Sequence, residues 1–113
     1  MLQYNLEYLE ELAAGDNNFL LSMVSDFIHQ TPDTLAQIAE AINRSDHELL
    51  YQLIHRFIPT IEFMGVSELV RKFRDIEQYA KAKADINLIK NYFEEVQAET
   101  FLIIDKLKHD FNQ

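Results

Sequence analysis

One imidazole is the residue best placed to do chemistry in this chain. His55 lies in the stretch from Leu53 to Gly65, which reads LIHRFIPTIEFMG. Wound at about 100° per residue, Leu50, Leu53, Ile54, Phe57, Ile61 and Met64 fall on one side of a helix. His55 projects roughly opposite, with Tyr51, Ile58 and Glu62 beside it. A core histidine would lie among the apolar residues, so this ring is expected to face water. Imidazole is neutral over much of the physiological pH range, and its free nitrogen is then a competent nucleophile. The surface around it carries no glycine-rich phosphate loop and no paired carboxylates spaced to hold Mg²⁺. His29, His47 and His109 share no metal-ligand spacing and read as surface or helix-end histidines, so no metal site is expected in the chain.

Composition removes several classes of function. The formal charge is −9, from 19 acidic against 10 basic residues, the opposite of the basic footprint that nucleic acid requires. The absence of cysteine excludes disulfides, thiol catalysis and thiolate metal sites. No apolar run approaches the roughly 18 residues of a membrane span, and Met1–Asn5 lacks the basic-then-apolar order of a signal peptide. A cytoplasmic, monomeric protein that binds no membrane is the expectation.

The elements that must position His55 are helices. With two glycines and two prolines in 113 residues there is little turn chemistry, whereas apolar residues make up 48% of the chain, enough for one core. A short first helix is expected over Asn5–Ala13, with Leu6, Leu9 and Leu12 on one side and Gly15 after its end. Asp16 is placed to cap a second helix reaching Asn43; its apolar spacing stays in register across Thr31-Pro32, which implies one long bent helix or two coaxial ones. Ser45 or Asp46 would cap the His55 helix, Ser67 a fourth and Asp85 a fifth. Phe19, Phe27, Phe73 and Phe93 are expected in the core. The fold class is thus all-α: an antiparallel up-down-up-down four-helix bundle with a short additional N-terminal helix, residues 1–113 forming one domain.

From Leu50 to Ala80 the sequence resembles the histidine phosphotransfer (HPt) domain of multistep two-component phosphorelays. That family carries a surface histidine followed by an apolar residue at two, lysine at three, glycine at four and a small hydroxyl residue at five. Leu or Met follows at nine and glycine at ten. An apolar residue comes four beyond that glycine, and an apolar-acidic pair eleven and twelve beyond it. This chain matches with His55, Phe57, Thr60, Met64, Gly65, Leu69 and the pair Ile76-Glu77. The resemblance implies a phosphoryl carrier, not an enzyme. His55 would accept the group on Nε2 from the aspartyl phosphate of a response regulator receiver domain, or within a hybrid sensor histidine kinase system, and pass it to another receiver. The catalytic groups and Mg²⁺ would belong to the receiver, and the chain would need no cofactor of its own. Tyr51, Arg56, Ile58, Pro59 and Glu62 would meet the partner, with Tyr51 and Ile58 forming an apolar ring around the nucleophile.

Two positions depart from the family. Ile58 stands where it has lysine, and Pro59 where it has glycine. Ile58 cannot steady a phosphoryl group by charge. Pro59 removes the N–H that would bond the His55 carbonyl, a loss of about 3 kcal/mol inside a helix. A bend just after His55 is expected rather than an end, because Phe57, Ile61 and Met64 keep helical register. These departures motivate an alternative, a degenerate HPt-like bundle that binds a receiver or kinase without being phosphorylated.

Overall fold

The computed structural model describes residues 2–113, which form five helices and, among the described residues, no strand. They are α1 (Glu7–Ala13), α2 (Asn17–Asn43), α3 (His47–Phe63), α4 (Ser67–Lys81) and α5 (Ile86–Asp110). Three of the starts are fixed by aspartates in the expected places. Asp16 Oδ1 accepts from the Phe19 amide at 3.0 Å, Asp46 Oδ1 from Leu49 at 3.0 Å and Asp85 Oδ1 from Asn87 at 2.8 Å. Each satisfies one of the amides that a helix start leaves without an internal partner. The start of α4 differs from expectation: Val66, not Ser67, occupies the cap position, and no side chain caps it. The core claims the Val66 side chain, which is buried, and that fixes the turn one residue early.

Neither proline ends its helix. α2 runs unbroken through Pro32, and α3 continues past Pro59 to Phe63. α3 packs on α2 and most extensively on α4; α5 packs on the same two helices, and α1 on α2. The longest dimension, 45 Å, is about the length of the 27-residue α2 at 1.5 Å per residue. Leu35, Ile38, Leu50, Ile54, Phe73 and Ile89 are completely buried where these helices meet. On α5, Ile89, Phe93, Val96, Ile103 and Leu107 are buried at steps of three, four and seven residues, with Ile86 half-buried at its start.

Some apolar residues lie elsewhere than expected. Leu12 is 48% exposed, because α1 rests on the rest of the molecule through Leu6, Leu9 and Ala13. Phe19 is 40% exposed; it sits in the first turn of α2, before the buried stripe begins at Val24. The first helix also begins later than Asn5. The Asn5 backbone is engaged across the molecule, its N–H donating to the Met64 carbonyl at 3.0 Å. Gly65 is what lets the chain pass there. Its φ is +66°, and a Cβ on it would stand 1.9 Å from the Asn5 carbonyl oxygen. The N-terminal segment therefore lies directly on the α3–α4 turn.

Candidate functional site

His55 lies near the middle of α3, and its side chain is 68% exposed. Its ring is nevertheless held on two sides. Tyr51, one turn earlier, stacks on it with centroids 5.6 Å apart and planes 12° from parallel. On the α4 side, His55 Nδ1 lies 2.6 Å from Glu77 Oε2. The Glu77 side chain is only 7% exposed.

Glu77 is the residue at this site that periodicity alone assigns to structure. It falls within the buried stripe of α4 with Leu69, Phe73, Ile76 and Ala80. A carboxylate in such a stripe is costly unless something meets it, and that is the signal pointing to a partner. The partner is His55. A carboxylate can only accept, so in the neutral ring the hydrogen resides on Nδ1 and is donated to Glu77. Nε2, on the opposite edge, then carries the lone pair. The pair thus fixes both tautomer and ring orientation, as a carboxylate does for a catalytic or metal-binding imidazole.

The other residues expected at the site divide. Arg56 and Pro59 are exposed, and Tyr51 is half-buried. Arg56 is turned toward α2, where it lines a shallow recess with Thr34, Gln37 and Leu53. Glu62 is half-exposed and its carboxylate lies 3.6 Å from Arg74 Nη2; the carboxylate meeting His55 is Glu77, not Glu62. Ile58 corrects the expectation. It is 2% exposed and belongs to the core. It stands four residues after Ile54 and three before Ile61, both wholly buried, so α3 carries its buried stripe one position wider than the pattern implied. Ile58 gives no surface to a partner, and no apolar ring surrounds His55.

The three basic residues Arg71, Lys72 and Arg74 of α4 point to different neighbours. Lys72 donates to both oxygens of Glu99 on α5, at 2.7 and 2.9 Å. Arg74 faces Glu62 on α3, and Arg71 is exposed, one turn before Asp75, which accepts from Tyr92 on α5. Two other histidines bond main-chain carbonyls: His29 Nδ1 lies 2.8 Å from that of Ser25, one turn earlier, and His47 Nε2 2.8 Å from that of Ala84, in the α4–α5 connection. Among the described residues no group of three acidic or histidine side chains is arranged to hold a metal ion, and no helix is long and apolar enough to cross a membrane. Compared with known proteins, the chain matches no family, no curated sequence and no solved structure.

Proposed function

We propose that the chain is a histidine phosphotransfer protein with His55 as its phosphoacceptor. The observation that carries this reading is the 2.6 Å contact between His55 Nδ1 and the buried Glu77 carboxylate, on a side chain that is still 68% exposed. The Nε2 lone pair attacks the phosphorus of a receiver's aspartyl phosphate in line. The Nε2–P bond forms as the P–O bond breaks, and the aspartate leaves as carboxylate. The ring becomes cationic in that step, and the Nδ1–H already directed at Glu77 stabilises the charge. In reverse, a receiver aspartate attacks phosphorus and the ring departs as neutral imidazole. Mg²⁺ and the groups that neutralise the phosphoryl oxygens come from the receiver, so the chain acts as a carrier.

The finer architecture of the proposal is an antiparallel up-down-up-down bundle of α2 to α5, with α1 as the short additional helix. The short connections and the packing of α2 and α4 each on α3 and α5 support it. Tyr51, Arg56, Pro59 and Glu62 form the surface that a receiver meets, and Ile58 is not part of it. The test is transfer from phosphorylated receiver domains in the presence of Mg²⁺. Acid-labile, alkali-stable label is expected on the wild-type chain and none on His55→Gln. Label that survives the substitution overturns the proposal.

A further inference from the structure

A phosphoryl group on His55 Nε2 brings up to two negative charges and three acceptor oxygens to a face that already carries acidic groups. Glu77 lies on one side of the ring, and Glu62 stands two turns further along α3. The cations around this face are not equally able to answer that charge. Ile58 offers none. Arg56 is turned toward α2, away from Glu77. Lys72 is bound through both oxygens of Glu99, and Arg71 lies one turn before Asp75, the α4 residue that meets Tyr92 of α5. Lys81 is the last residue of α4, one turn beyond Glu77, where the open carbonyls and dipole of the helix end compete for its ammonium.

Arg74 remains. It precedes Glu77 by three residues, one turn or about 4.5 Å along α4, and so stands on the same side of that helix. Its contact with Glu62 is loose: 3.6 Å, beyond hydrogen-bonding distance, between side chains that are each about half exposed. Such a pair contributes little and opens readily. A phosphoryl group offers a guanidinium the stronger partner, with two parallel N–H···O bonds.

Resting on the phosphoacceptor reading, we propose that phosphorylation draws Arg74 from Glu62 to the phosphoryl oxygens on His55. Arg74 then takes the part of the charge that Ile58 lacks. The exchange also leaves Glu62 unpaired on the exposed face, so the phosphorylated and free forms present different charge to a receiver.

The full chain is treated with phosphoramidate, which needs no receiver: Nε2–P forms, the P–N bond of the reagent breaks and ammonia leaves. Removing a neighbouring cation favours the protonated form of an ionising group. In Arg74→Gln the ionisation of the phosphohistidine, followed by ³¹P NMR, is therefore expected to move up by about half a pH unit. Arg71→Gln and Lys81→Gln, which remove the same charge elsewhere on α4, are expected to shift it by less than about 0.2 unit. In the wild type, the Arg74 Nε–H resonance is expected to move on phosphorylation and that of Arg71 to stay. An Arg74→Gln shift no larger than either control, or an unmoved Arg74 resonance, overturns the exchange alone. Absence of any phosphohistidine overturns both the exchange and the phosphoacceptor reading.

Discussion

His55 and Glu77 form one unit, and each is exposed to test through the other. With the imidazole removed, the Glu77 carboxylate remains buried with no donor. His55→Ala is therefore expected to destabilise the fold by about 1–3 kcal/mol at neutral pH. Replacing both residues, as His55→Ala with Glu77→Leu, is expected to recover most of that loss, since the buried charge goes too. Urea unfolding of the two single variants and the double variant measures the coupling, and strictly additive effects would contradict it. In function, Glu77→Gln keeps the shape and the acceptor oxygen but not the charge. It is expected to leave the fold intact and slow phosphoryl transfer by about ten- to a hundredfold in single-turnover kinetics. The His55 position is legible from helical spacing, because a polar residue opposite an apolar stripe must face water. Its partner is not. Glu77 is 22 residues away on another helix, and only its misplacement in an apolar stripe hints at it.

At the scale of the elements, the α3–α4 connection is the tightest construction. Gly65 combines a left-handed backbone with contact against the Asn5 backbone, so Gly65→Ala meets both torsional strain and a clash with main chain that cannot swing aside. A loss of about 2–4 kcal/mol is expected. Gly15 has φ +89°, but a Cβ added there would meet nothing within 4 Å, so Gly15→Ala carries the torsional part alone, about 1–2 kcal/mol. Equal losses in the two variants would contradict the role given to the N-terminal segment. The aspartate caps are legible because a side-chain acceptor before an apolar stripe has few other uses. The α4 start is not, because Ser67 looks like a cap while burial of Val66 sets the turn. Ile58 escapes sequence reasoning for a related reason. A helical wheel gives the direction of a side chain but not how far neighbouring helices wrap around it, and at Ile58 they leave only 2% exposed.

Across the whole molecule, two phenols tie distant parts together. Tyr4 donates to Asp110, joining the N-terminal segment to the end of α5, and Tyr92 donates to Asp75 at 2.7 Å, joining α5 to α4. Partial burial, then the hydrogen bond and charge of the neighbouring carboxylate, push each phenol up to about 12. The neutral phenol is the form the fold favours. Its contribution is fully present below the ordinary tyrosine value of about 10 and is lost as pH rises through about 12. Absorbance titration should show two of the five tyrosines ionising late, and Tyr4→Phe and Tyr92→Phe should each remove one late step. Five tyrosines titrating together near 10 would contradict both contacts. The all-helical class is legible from composition and spacing. The long-range ties are not, because Tyr4 and Asp110 share no pattern that sequence separation preserves.

The central claim is that Glu77 holds the Nδ1 hydrogen and leaves Nε2 to carry phosphate. Long-range ¹H–¹⁵N NMR of the histidine rings, before and after phosphoramidate treatment, tests it most directly. The free His55 ring is expected as the Nδ1–H tautomer, and the treated ring with phosphorus on Nε2. An Nε2–H tautomer, phosphorus on Nδ1, or a His55 ring left untouched while other histidines are phosphorylated would contradict it.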